Sequence, residues 1–140
     1  MIQSINHVCF SVSDLKRSIH FYQHVMGGRL LTEGRTTAYL DIGGLWVALT
    51  QQDDIPRDQL ALSKTHMAFS IDENDFTEWH EKLRAHNIDI LEGRPRDARD
   101  KQSIYFTDPD GHKLEVHTGT LQNRLDYYKE TKNHMKFYEY

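Results

Sequence analysis

Asn6-His7-Val8-Cys9-Phe10-Ser11-Val12 and Thr65-His66-Met67-Ala68-Phe69-Ser70-Ile71 are the two stretches on which the fold turns. His, Phe, Ser and a branched apolar residue recur between them at an offset of 59. Each stretch alternates as a half-buried strand does. A helical stretch follows each one. From Asp14 to about Val25, Leu15, Ile19, Tyr22 and Met26 fall on or near one face; Ser13 or Asp14 can cap it and Gly27-Gly28 stops it. From about Glu73 to Ala85 the apolar stripe is Phe76, Trp79, Leu83 and His80, with Asp72 or Asn74 as the cap.

Three strand-like pieces come next in each half. The first half has 29–33, 37–42 and 45–50, with Gly43-Gly44 as a tight turn. The second has 88–92, 103–107 and 113–117, the last two joined by Asp108-Pro109-Asp110-Gly111. Tyr39-Leu40 recurs as Tyr105-Phe106 at an offset of 66, and Gly44-Leu45-Trp46-Val47 aligns with Gly111-His112-Lys113-Leu114 at 67. The expected fold class is therefore α+β, built from paired βαβββ modules. Module 1 spans 4–50, a polar linker with Pro56 spans 51–60, and module 2 spans 61–118. A C-terminal helix and tail fill 119–140; the helix runs from Leu121 to about Thr131, with Leu121, Leu125 and Tyr128 on one face. The aromatic end, Met135-Lys136-Phe137-Tyr138, is expected to pack on something.

Composition narrows the function. A chain of 140 residues suits one domain. Its net charge of −4, with no basic run, argues against a nucleic-acid stripe. No apolar stretch approaches the roughly 18 residues that span a membrane. No export signal is visible at Met1-Ile2-Gln3-Ser4, and the lone Cys9 cannot form an internal disulfide, so a cytoplasmic setting is expected.

The repeat also points to chemistry. His7 and His66 are equivalent positions on the first strand of each module. Glu115 lies between Leu114 and Val116, and an acidic side chain on a central strand is costly to bury without a partner. The offset of 67 takes Glu115 to Ala48, so the fourth corner of a symmetric site is only a methyl group. Three protein ligands and one empty corner are what a catalytic metal needs. Two imidazoles and a carboxylate suit Mn²⁺, Fe²⁺ or Zn²⁺, and Mg²⁺ when a phosphate-like oxygen completes the shell. A lone histidine is more often satisfied by hydrogen bonds, which is the reading for His20, His24, His80, His86 and His134. His117 shares a strand face with Glu115 and can support the site from behind. Arg94, Arg96, Arg99 and Lys101 fall in the loop 93–102, Arg124 is on the last helix, and Tyr39, Trp46 and Tyr105 are on strands placed near Glu115 by the repeat. Around a metal they would suit a small anionic oxyacid. The competing readings are a solvated loop, in which Asp97 and Asp100 are interleaved, and core aromatics with one wet end.

The runs INHVCFSVSDLKRSIHFY, THMAF, IYFTDPDGHKLEVHTGTLQNRL and YYKETKNHMKFY together resemble the bacillithiol-dependent fosfomycin-resistance metallothiol transferases of the vicinal oxygen chelate (glyoxalase-like) superfamily. FTDPDGHKLE indicates the superfamily alone; HTGTLQNRLDYYKE is more specific. The resemblance implies one Mn²⁺ or Mg²⁺ ion held by His7, His66 and Glu115, receiving the oxirane and a phosphonate oxygen of fosfomycin while a thiol opens the ring. It implies Tyr39, Trp46, Arg94, Tyr105 and Arg124 as pocket residues, with Glu115, Tyr39, Arg94 and Tyr105 closest to the chemistry. It implies Cys9 where glutathione-dependent relatives carry Thr, which favours bacillithiol or another small thiol such as L-cysteine. Thr50 and Lys64 line the same region and depart from the family's usual residues. A homodimer with sites shared between chains is implied as well. Two other readings stand beside this one: an extradiol-type dioxygenase or other glyoxalase-fold metalloenzyme, and a non-catalytic drug-binding protein of the same fold.

Overall fold

A computed structural model describes residues 1–139; Tyr140, the last residue of the expected tail, lies outside the described residues. The chain divides into two compact units, one formed by Met1–Thr65 with Thr107–Lys113, the other by His66–Phe106 with the chain from Leu114 onward.

In the first unit, strands β1 (His7–Val12), β2 (Arg29–Glu33), β3 (Thr37–Ile42) and β4 (Leu45–Gln51) form a sheet in the order β1-β4-β3-β2. β1 runs parallel to β4, and β3 antiparallel to both its neighbours. Helix α1 (Leu15–His24) is capped by the Asp14 side chain, which accepts from Arg17 N. The expected stripe Leu15, Ile19, Tyr22 and Met26 is buried, together with Phe21. α1 covers the face on which β3 and β4 present Ala38, Leu40, Ile42, Val47 and Leu49, all buried. Gly43 and Gly44 both take positive φ, 58° and 89°, the pairing that a two-residue hairpin turn needs. The register Cys9↔Ala48↔Tyr39 sets the other face, with His7, Trp46 and Thr50 two positions away along their strands.

The turn between the last two strands of the second half belongs to this first unit. Asp108 and Asp110 are buried there. The Tyr22 hydroxyl donates to Asp108 Oδ2 at 2.7 Å, and Ser13 N donates to Asp110 Oδ2 at 3.0 Å. His112 Nε2 donates to the Ser11 carbonyl at 2.8 Å. Arg57, in the linker, donates to the same carbonyl at 2.8 Å and stands 3.7 Å from Asp110.

The second unit repeats the topology. Strands β5 (Met67–Ser70), β6 (Ile90–Leu91), β7 (Ser103–Thr107) and β8 (Lys113–His117) take the order β5-β8-β7-β6, with β5 parallel to β8. The ladder step Ala68↔Glu115 is the counterpart of Cys9↔Ala48, so the offsets of 59 and 67 read from sequence are structural equivalences. Helix α2 (Phe76–Ala85) is preceded by a 3-10 turn over Glu73–Asp75, which Asp72 caps through Asn74 N. Its Leu83 is buried, as are Ile104, Phe106, Leu114 and Val116. Helix α3 (Leu121–Thr131) matches the expected bounds and opens with a capping box between Thr120 and Asn123. Among the described residues no helix is long and apolar enough to cross a membrane.

Three expectations shift. The strand expected at 88–92 is only Ile90–Leu91, because Ile88 N closes the end of α2 on the Leu83 carbonyl and Gly93 and Pro95 follow. β5 starts at Met67, leaving His66 one residue ahead of it, since Thr65 N is committed to the Ser63 hydroxyl. The aromatic end is more exposed than expected: Tyr138 is 76% exposed, while Phe137 is half-buried with Lys129 Nζ 5.9 Å from its ring.

Candidate functional site

In the second unit the chemistry gathers on one face of the β5–β8–β7 ladder. Alternation aims Glu115 away from buried Leu114 and Val116, and its neighbour across the ladder is the small Ala68. Glu115 is nevertheless 6% exposed, so it is a buried carboxylate with need of a positive partner. His66 supplies one donor, with Nε2 3.7 Å from Glu115 Oε2. Two donors on one divalent ion, each about 2.0–2.2 Å from it, stand roughly 3–3.6 Å apart. The pair therefore fits a shared ion with little adjustment, and an imidazole with a carboxylate is a fitting donor set for Mn²⁺. Among the described residues no group of three or more His, Cys, Asp and Glu is assembled that could hold a metal. His66 and Glu115 are brought together; His7 lies in the other unit.

Arg96 is the neighbour that the sequence named only among the charges of its loop. It is largely buried, donates from Nη2 to the Tyr105 hydroxyl at 2.6 Å, and stands 3.6 Å from Glu115 Oε1. Burial first, then the Glu115 carboxylate, pushes the Tyr105 phenol above its ordinary value. Tyr105 therefore stays protonated: Arg96 donates to its oxygen, and its own hydrogen is directed at the Glu115 carboxylate. Its ring meets His66 edge-on at 5.8 Å. His117 is held by Ser103 Oγ at 2.7 Å, and burial lowers its affinity for a proton despite Glu115 nearby, so it is a neutral imidazole.

Arg94 and Arg124 converge on a different carboxylate. Asp100 is fully buried and pairs with Arg94 Nη2 and with Arg124 Nε; Arg96 Nη1 is 3.5 Å away. Burial works against the charge of Arg94, but Asp100 outweighs it and the guanidinium is held charged. Arg99 is exposed, as the solvated-loop reading expects, and bonds Asp97 and, at 2.7 Å, Glu130 of α3, both of them exposed too.

In the first unit, His7 and Trp46 are neighbours at 4.5 Å between ring centroids, and Tyr39 meets Trp46 edge-on at 5.1 Å. Asn6 Oδ1 and His7 Nδ1 are 2.7 Å apart. Cys9 is exposed, with Sγ 3.5 Å from Thr50 Oγ1. Lys64 is exposed as well. The expected residues thus fall in three places: His7, Cys9, Tyr39, Trp46 and Thr50 on the first sheet, His66 and Tyr105 beside Glu115, and Arg94 and Arg124 on Asp100. Arg96 was hard to find because its loop alternates basic and acidic residues, and nothing in that pattern separates an inward arginine from an outward one.

A family model described as Glyoxalase/Bleomycin resistance protein/Dioxygenase superfamily matches residues 4–116. The chain is 61% identical over 140 residues to the metallothiol transferase FosB of Staphylococcus saprophyticus, covering 100% of this chain and 93% of that protein. It is 58% identical over 139 residues to the metallothiol transferase FosB of Lysinibacillus sphaericus, covering 99% of each. Among solved structures it is similar to a mutant of the fosfomycin resistance protein FosX from Listeria monocytogenes, complexed with Mn(II) and 1S,2S-dihydroxypropylphosphonic acid. That similarity has a TM-score of 0.81 and 31% identity, over 91% of this chain and 99% of the other.

Proposed function

Since the chain belongs to the metallothiol transferase FosB family, within the glyoxalase/bleomycin resistance protein/dioxygenase superfamily, we propose that it inactivates fosfomycin by opening its epoxide with a small thiol. His7, His66 and Glu115 would hold a divalent ion, Mn²⁺ or Mg²⁺, which would supply Lewis acidity for the negative charge that develops on the ring oxygen. The thiolate sulfur forms a bond to one epoxide carbon as that carbon's bond to oxygen breaks, and the proton released by the thiol ends on the oxygen. Arg94 and Arg124 neutralise the phosphonate, which removes repulsion against the incoming thiolate. Tyr105, kept protonated and directed at Glu115, turns its hydrogen to the same anion when that anion binds. Tyr39, Trp46, Thr50 and Lys64 line the remaining wall. Cys9 faces the thiol, and its small side chain makes room without entering the reaction. Bacillithiol is the preferred thiol, with L-cysteine as a substitute, and the working compartment is the cytoplasm, where such thiols are kept reduced.

The observation that carries this reading is the buried Glu115 carboxylate 3.7 Å from His66, beside a protonated Tyr105. Mass spectrometry of fosfomycin incubated with the protein, Mn²⁺ and a panel of thiols tests it. A thioether adduct that needs both protein and metal is expected. A diol in its place would make water the nucleophile, and unchanged fosfomycin would reject the reaction.

The site is completed in a homodimer, with His7 of one copy meeting His66 and Glu115 of the other. Exposed His7 and Trp46 on the open face of the first sheet support this arrangement. Mixing inactive His7→Ala protein with inactive Glu115→Ala protein should restore activity once subunits exchange. Exchange confirmed by native mass spectrometry with no recovery of turnover would reject a shared site.

A further inference from the structure

We infer that Asp100 is a positioning residue for the anion pocket, holding the Arg94 and Arg124 guanidinium groups in place before the substrate arrives. The inference rests on the assignment of those two arginines to the phosphonate. A carboxylate buried this completely is placed at a cost, and here it meets three cations at once: Arg94, Arg124 and Arg96. Those cations are not used up by it. The Arg94 and Arg124 side chains remain 43% and 31% exposed, so each has an open side for a second anion. Arg124 meets Asp100 through Nε, one of the three nitrogens of its guanidinium fork.

The loop that carries Asp100 is built to aim it inward. Asp97 caps a 3-10 turn over Ala98–Asp100 by accepting from Arg99 N at 2.9 Å. The turn ends at Lys101, which has φ 62° and ψ −170°, a conformation that side-chain-bearing residues rarely adopt. Such backbone persists only where its surroundings hold it. Lys101 Nζ reaches Glu73 at 3.2 Å, and its Cγ lies so close to Gly119 that a β-carbon there would stand 2.8 Å from it. Arg99 ties the other side of the turn to Glu130 of α3. The reversal at Lys101 sends one side chain outward to Glu73 and leaves Asp100 directed at the arginines.

Two effects of Asp100 oppose one another. As a negative charge it weakens the attraction of the pocket for any anion. As an anchor it removes the rotamer freedom that two long side chains would otherwise lose when the ligand binds. The inference states that anchoring wins. Asp100→Asn keeps the shape and removes the charge, so the two effects predict opposite signs. Inorganic phosphate serves as the probe, with affinity measured by calorimetry on the Mn²⁺-loaded protein. Phosphate should bind about tenfold more weakly to Asp100→Asn, and KM for fosfomycin should rise while kcat falls less. Mn²⁺ affinity should stay unchanged. Equal or tighter phosphate binding by the variant would overturn the inference.

The wild-type protein offers a second test that needs no variant. With ¹⁵N-labelled arginine and no phosphate present, the Arg124 Nε–H should be an ordered resonance. A rapidly averaged one would show that nothing is held in advance, and the inference would fall. If wild-type protein forms the thiol adduct but Asp100→Asn keeps its phosphate affinity, only this inference is lost. If the wild type neither binds phosphate nor forms adduct, the assignment of the pocket is lost with it.

Discussion

Replacing Tyr22 with Phe removes one oxygen from the interior of the first unit and leaves the ring in place. Tyr22 is 0% exposed and Asp108 is 4% exposed, so no water takes over the bond of 2.7 Å between them. A hydrogen bond to a charged group contributes about 1.5–3 kcal/mol. Asp108 keeps two backbone donors, Asp110 N at 3.0 Å and His112 N at 2.9 Å, which places the expected loss in the lower half of that range, about 2 kcal/mol. For a chain of this length that corresponds to a fall in Tm of roughly 5–8 °C. The pH dependence identifies the bond. Burial, then Asp108, raises the Tyr22 phenol well above its ordinary value. The folded state therefore keeps this proton where the unfolded chain loses it, so wild-type stability falls as pH rises beyond about 10, and the Phe variant lacks that decline. Burial also raises the Asp108 carboxyl, while the Tyr22 hydroxyl is among the groups that lower it. Without the hydroxyl it rises further, so the variant recovers stability on acidification. The difference between the two proteins should be widest near neutral pH and should narrow at both ends. Thermal melts followed by circular dichroism from pH 4 to 11 measure it. A difference below about 0.5 kcal/mol at pH 7, or one that does not vary with pH, would refute the reasoning.

Glu115→Gln should weaken Mn²⁺ binding and cut turnover severely, because the site loses a charge and donor strength; wild-type turnover at saturating Mn²⁺ would count against Glu115 as a ligand. Arg124→Ala should lower kcat/KM for fosfomycin roughly tenfold to a hundredfold, as expected for one charge-assisted bond. Arg99→Ala, whose ion pairs are with Asp97 and with Glu130 of α3, should cost less, and the reverse order would show that loop and helix are wrongly assigned. Cys9→Ser should retain substantial activity, since the incoming thiol is the nucleophile. A folded, metal-loaded but inactive Cys9→Ser protein would point instead to a covalent role.

The duplication was legible because it lay in the chain's own periodicity. The offsets of 59 and 67 reappear as matching ladder steps, and the start of α1 followed from its cap, Asp14. Glu115 was found for the same reason, being a ladder position whose facing is set by alternation, while His66, one residue ahead of β5, was found as the repeat partner of His7. Loop residues have no such period. The tetrad Asp108-Pro109-Asp110-Gly111 was legible as a turn, but its two carboxylates are buried anchors, and turn chemistry alone does not distinguish a solvated aspartate from one that receives Tyr22 and Ser13. Arg96 and Asp100 were visible as loop charges, but their burial was not, because burial in a loop depends on where Lys101 reverses the chain. β6 fell short because its first residues had already been used to close α2.

The placement of residues 107–113 in the first unit limits how this chain can be recombined. Its two halves look like interchangeable cassettes meeting near residue 60, yet a polypeptide ending there would lack Asp108, Asp110 and His112. The Tyr22 hydroxyl, the Ser13 amide and the Ser11 carbonyl would each lose a partner. A chimaera that takes its second half from a distant relative would insert a foreign turn into a native socket. Crossovers that respect the fold therefore come in sets, one near 65 and two more at 106 and 114, and the heptapeptide between the last two should be inherited with the first half of the chain.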